Sequence, residues 1–250
     1  MSEERPIRLH CFAHSAEGVS AFSGWTADIG PGVELVPAAL PGSADRRAEA
    51  RVTTHKELLA DLLPRFAGPE AGPFVLYGQG LGAMVAFTLT RALHEAGLPG
   101  PTLLVVGACR PPHVPSELPD VRALTDAELL NVLEGDGAVP PGSDEGVWLR
   151  AMLPELRADL ELAQSLEEAA RAPRPAGPLT TPLLVVASAD DPLAPPRTAD
   201  GWRRWTEGPA RLRVVPGRHF FAGERGLPRL LGRACRTADR LVRQQPVPVG

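Results

Sequence analysis

Phe74-Val-Leu-Tyr77-Gly78-Gln79-Gly80-Leu81-Gly82-Ala83 is the stretch that decides the fold. Four strand-forming residues run into three alternating glycines, and an apolar helical pattern over 81–96 follows, closed by Gly97 and Pro99. Strand, tight turn and helix in that order form the context of a G-x-S-x-G nucleophile elbow. There the outer glycines let the strand and helix backbones approach, while the middle residue takes a strained conformation that pushes its side chain into a pocket. Here the middle residue is Gly80, which has no side chain to present. A bare G-x-G-x-G also fits phosphate binding by backbone N–H groups at a helix N-terminus. The choice between these readings rests on the rest of the chain.

Strand-like apolar runs occupy 7–12, 33–36, 74–77, 103–106, 183–186 and 212–215, each bounded by Gly, Pro or polar residues. Helical patterns lie between them, including 54–66, where Thr54 and Glu57 have capping-box spacing. Strand alternating with helix predicts an α/β fold with a mostly parallel, doubly wound sheet. The alternation stops between about 111 and 178. That segment has no strand signal but two helical stretches, one opened by Thr125 with Glu128, the other carrying Leu149, Leu153, Leu156 and Leu160. It reads as a helical insertion between two strands. Above the strand carboxyl ends it would lie over the place where open α/β sheets bind ligands.

Composition narrows the classes. A chain of 250 residues with 44% hydrophobic content supports one substantial core, so a single domain over 1–250 is expected. A net charge of −4 leaves no electrostatic footprint for nucleic acid or an anionic membrane surface. Small molecules or protein partners fit better. No apolar run approaches the roughly 18 residues of a membrane span, and the polar, acidic opening does not read as a signal peptide. Cys11, Cys109 and Cys235 lack metal-ligand or CxxC spacing, so no metal or cofactor is expected, and a reducing cytoplasm fits. The carboxyl-terminal helical pattern carries Arg229, Arg233, Arg236, Arg240 and Arg243, a solvated face or a dock for an acidic partner, and the tail 244–250 reads as disordered.

Two turns decide for the hydrolase reading. Ser188-Ala-Asp190-Asp191-Pro192-Leu193-Ala194 follows one buried run, and Pro216-Gly217-Arg218-His219-Phe220-Phe221 follows the next. Elbow, acid, then histidine is the order of α/β-hydrolase triads. A carboxylate bonded to one imidazole nitrogen fixes the tautomer and leaves the other nitrogen as a general base.

Together, Leu9-His-Cys-Phe12-Ala13-His14 with Trp25, Leu40-Pro41-Gly42, the elbow, the Asp-Asp-Pro turn and Gly217-Arg218-His219-Phe220-Phe221 resemble the type II thioesterases of polyketide and nonribosomal peptide assembly lines, over essentially the whole chain. The resemblance implies an α/β-hydrolase fold with a helical lid at about 111–178. It also implies action on acyl, polyketide or peptide intermediates tethered to the phosphopantetheine arm of a carrier protein. By it Asp191 is the triad acid, His219 the base, and Gly80 the nucleophile position. His14, Ala16, Gln79 and Leu81 would line the pocket or oxyanion site. The chain departs from the family's Gly-His-Ser-Met-Gly elbow at Gln79, Gly80 and Leu81, and has Ser15-Ala16-Glu17 where the family has Ala-Gly-Gly. Three expectations follow: Asp191–His219 acid–base chemistry without a serine, a non-catalytic acyl or carrier binder, or a displaced nucleophile at Cys109 or Ser15.

Overall fold

The computed structural model describes residues 5–13, 21–43, 46–68, 72–116, 118–134, 144–173, 176–217 and 226–244. Six strands form one sheet: β1 (Ile7–Phe12), β2 (Val33–Pro37), β3 (Phe74–Gln79), β4 (Leu103–Gly107), β5 (Leu183–Ser188) and β6 (Ala210–Val215). Their order is β2-β1-β3-β4-β5-β6, and every pair is parallel. β3, β4 and β5 are buried throughout, as continuous apolar runs covered on both faces must be.

α1 (Trp25–Ile29) and α7 (Gly226–Gln244) cover one face, where Trp25, Ile29, Leu227 and Leu231 pack on Leu9, Val75 and Val105. α2 (His55–Phe66) and α3 (Leu81–Glu95) cover the other, and their Leu62, Phe66, Val85 and Leu89 meet Leu76, Leu104 and Val185. The Thr54–Glu57 capping box is formed in full at the start of α2. From β1 the chain adds β2 on one side and β3 on the other. This reversal makes the carboxyl ends of β1 and β3 the switch point, the place where such sheets bind ligands.

Between β4 and β5 lie a 3-10 turn (Val121–Ala123), α4 (Asp126–Glu134) and α5 (Asp144–Arg171). α5 is much longer than its leucine stripe indicates and contains Pro154. Its two halves differ. Leu153 and Leu160 join Val121 and Leu129 in a small separate core, whereas Leu162, Leu166 and Ala170 enter the main core beside α3. The insertion is therefore in part a structural layer.

Two short elements were not signalled by periodicity: α1, and α6 (Pro196–Ala199) with the 3-10 turn Asp200–Trp205. At five and four residues, neither helix is long enough to show a repeat. On α7, Arg229 pairs with Asp28, Arg236 donates to the carbonyls of Ile29 and Pro31, and Arg243 pairs with Asp239. Much of the arginine face thus fastens α7 to α1 and to itself. Residues 245–250 of the tail lie outside the described residues.

Candidate active site

The elbow is present as a shape. Gly80 joins β3 to α3 with φ 56° and ψ −121°, a conformation that glycine enters without the strain a Cβ brings. Its N–H donates to Gly107 O on β4 at 3.0 Å, and its carbonyl accepts from Ala83 N at 3.1 Å, which closes the first turn of α3. The flanking glycines are fixed by proximity. A Cβ on Gly78 would overlap the Gly82 carbonyl, and one on Gly82 would overlap the Phe12 carbonyl of β1. Strand, turn and helix are thus pressed together at the switch point. The N–H of Leu81, first in α3, has no backbone acceptor among the described residues, as helix geometry dictates. Gln79 is buried, and its Oε1 accepts from the Tyr77 hydroxyl at 3.2 Å, in the layer that also holds Trp25. A polar tie beneath the turn is what Gln79 supplies.

The acid turn follows β5. Asp191 is 2% exposed, whereas Asp190 is exposed, so the buried carboxylate is the second of the pair. Asp191 Oδ1 accepts from Leu193 N at 2.8 Å and Ala194 N at 3.0 Å, an Asx turn that orients the carboxylate from its own loop. Behind it, the buried Ser188 hydroxyl donates to Gly217 O, and Asp190 N donates to the same carbonyl at 3.1 Å. Gly217, two positions before His219 in the chain, is thereby tied to the turn that carries Asp191. His219 itself lies outside the described residues, as do His14, Ser15, Ala16 and Glu17.

Cys109 is described. Ala108, at φ 44°, turns the chain past β4, and the Cys109 carbonyl accepts from the Trp202 indole at 2.8 Å. The thiol donates to Arg110 O at 3.3 Å. Burial, with the Glu167 and Asp191 charges adding to it and Arg110 opposing, pushes the thiol up to about 12. His113 is exposed, and its Nδ1 accepts from the Trp205 indole at 3.0 Å. Among the described residues no group of three or more His, Cys, Asp or Glu side chains is arranged to hold a metal, and no helix is long and apolar enough to cross a membrane.

Ser188 has no counterpart among the sequence-level candidates. A serine ending a strand carries no signal of its own, and only the pairing of β5 with β6 brings it to Gly217.

A parallel sheet with an elbow at its switch point and a buried acid after a later strand defines the class as α/β-hydrolase. Within that class the chain belongs to the thioesterase family, whose Thioesterase domain pattern matches residues 7–237. It is 32% identical over 222 residues to thioesterase PikA5 of Streptomyces venezuelae, covering 87% of this chain and 76% of that protein. Among solved structures, the RedJ thioesterase from the prodiginine biosynthetic pathway of Streptomyces coelicolor is 33% identical with a TM-score of 0.74, covering 91% of this chain and 85% of that one. The type II thioesterase BorB from the borrelidin biosynthetic cluster is 26% identical with a TM-score of 0.72, covering 92% of each chain. The chain's homologues are type II thioesterases of polyketide and nonribosomal peptide pathways.

Proposed function

We propose that this protein acts on an acyl or polyketide intermediate, carried on the phosphopantetheine arm of an assembly-line carrier protein, by acid–base chemistry of the Asp191–His219 pair without a serine nucleophile. The observation that carries this reading is the apex of the elbow. Gly80 keeps the strained turn geometry, yet offers no oxygen to form an acyl-enzyme. Removing a triad nucleophile costs several powers of ten in rate. The buried Asp191, oriented by two backbone N–H groups, supports retention of the acid. His219 would then withdraw a proton from the substrate, with cyclisation, dehydration or isomerisation following, or would promote weak direct attack by water on the thioester. A cytoplasmic setting belongs to the same reading and is supported by three free thiols.

Cys109 is disfavoured as a displaced nucleophile. With its thiol pushed up to about 12, little thiolate exists at neutral pH. The test is a thioester assay with an acyl-N-acetylcysteamine, run beside incubation with the carrier-bound intermediate. Hydrolysis by the native protein should stay near background, and Gly80→Ser should raise it measurably. Conversion of the carrier-bound intermediate should disappear with His219→Ala. Rapid hydrolysis that survives His219→Ala would sink the proposal. Binding of the intermediate with no conversion at all would favour a non-catalytic acyl or carrier binder.

A further inference from the structure

We propose that Ser188 is a positioning residue for the acid–base pair, tying Gly217, two positions before His219, to the turn that carries Asp191. The inference rests on the reading that Asp191 and His219 act as a pair, and it adds a residue which that reading does not contain.

Three donors from consecutive residues of one turn reach the other. Ala189 N donates to Val215 O at 2.9 Å, Asp190 N donates to Gly217 O at 3.1 Å, and the Ser188 hydroxyl donates to that same Gly217 oxygen. The first two are backbone bonds, which any sequence supplies. The third depends on the side chain at 188, which is 0% exposed. Gly217 lies at φ +106°, a conformation side chains rarely adopt, and a Cβ there would come within 3.9 Å of Ser188 Oγ. Gly217 is thus a residue of wide backbone freedom two positions before His219 in the chain, and the hydroxyl removes part of that freedom. From Ser188 the ties continue toward the acid: its carbonyl accepts from Asp191 N at 3.4 Å, and Asp191 Oδ1 is held by Leu193 and Ala194. Hydrogen bonds therefore run from Gly217 to the Asp191 carboxylate. An acid–imidazole contact tolerates little misplacement, so a tie two positions before the imidazole acts on the alignment of the pair.

The experiment is an NMR titration of the His219 imidazole in the native protein and in Ser188→Ala, Ser188→Cys, Asp191→Asn and Ser188→Ala/Asp191→Asn. It reads the pair directly and needs no turnover. A facing carboxylate stabilises the imidazolium, so Asp191→Asn should lower the titration midpoint by about 1 pH unit. Ser188→Ala should lower it by a fraction of that, and the double variant should match Asp191→Asn, since Ser188 acts only through the pair. Ser188→Cys keeps the shape with a weaker donor and should shift the midpoint the same way by less, which leaves a readout if the alanine variant does not fold. A shift with Asp191→Asn but none with either Ser188 variant would overturn the positioning role and leave the pair intact. No shift with Asp191→Asn would remove the pair itself, and the role of Ser188 with it.

Discussion

The elbow and the acid turn both follow strands of the same sheet, yet they are held in opposite ways. The elbow is shaped by missing side chains: Gly78 and Gly82 admit carbonyls where a Cβ would stand, and Gly80 takes a backbone conformation that suits it. The acid turn is shaped by side-chain oxygens, with Asp191 Oδ1 on two backbone N–H groups and the Ser188 hydroxyl on Gly217. A turn built on close backbone approach resists added atoms and is indifferent to polarity. One built on hydrogen bonds tolerates volume better than the loss of an acceptor. The largest expected effect tests the first half of that contrast. Gly82→Ala drives a methyl into the backbone of Phe12 and Ala13, which cannot swing aside as a flexible side chain would, so it should destabilise the fold by about 4 kcal/mol or more. Urea unfolding checks this, and a loss below about 1 kcal/mol would mean that β1 and α3 can separate at little cost.

The acid turn should respond to chemistry. Asp191→Ala strands the N–H groups of Leu193 and Ala194, the latter buried, and should destabilise by about 2 kcal/mol. Asp191→Asn keeps a carbonyl oxygen for both and should lose less than about 1 kcal/mol, even though it removes the charge. If the two substitutions destabilise equally in urea, the turn is held by charge and not by its Asx geometry.

The same contrast explains what could be read in advance. The six strands were legible as short, mainly apolar runs with glycine, proline or polar ends, although only β3, β4 and β5 are buried throughout, while the edge strands β2 and β6 are half exposed. The elbow was legible because alternating glycines report a close approach that no other residue allows. Asp191 could be chosen over Asp190 only through the resemblance to thioesterases, and its burial agrees with that choice. Ser188 was not legible, because its partner is 29 residues away and the bond exists only once β5 and β6 are in register. Nor was the division of α5, where Leu153 and Leu160 of the stripe serve the small core and Leu162 and Leu166, outside that stripe, serve the main one.

Acid offers a way to loosen the elbow's support without touching either turn. β1, which supplies the Phe12 carbonyl against Gly82, carries His10 edge-on to Phe66 at 4.8 Å and Phe74 at 5.9 Å. Burial, then the charges of Arg8 and Arg65, lower this imidazole to about 4. The unfolded chain takes up a proton near pH 6.5, while the native state does so only near 4. Stability from this group is therefore present above about pH 6.5 and is lost as pH falls toward 4, by about 2 kcal/mol at pH 5. His10→Gln should flatten the dependence of unfolding free energy on pH between 7 and 5. An unchanged slope would show that His10 titrates alike in both states.

The elbow's apex bears most directly on function. At Gly80 the backbone angles, φ 56° and ψ −121°, stay fixed by the bond to Gly107 and by the opening of α3 whatever residue stands there. A Cβ must then accept the strain, which for one such residue is about 1–2 kcal/mol. Gly80→Ala and Gly80→Ser should each lose about that much in urea, far less than Gly82→Ala, and nearly the same as each other because the strain belongs to the Cβ and not to the hydroxyl. Only Gly80→Ser should gain thioester hydrolysis. A serine at this apex would therefore be stability given up for a nucleophile, stability that glycine keeps. Should Gly80→Ala instead destabilise as much as Gly82→Ala, the apex would be closed by packing and not merely relaxed, and a serine there would have no room to act.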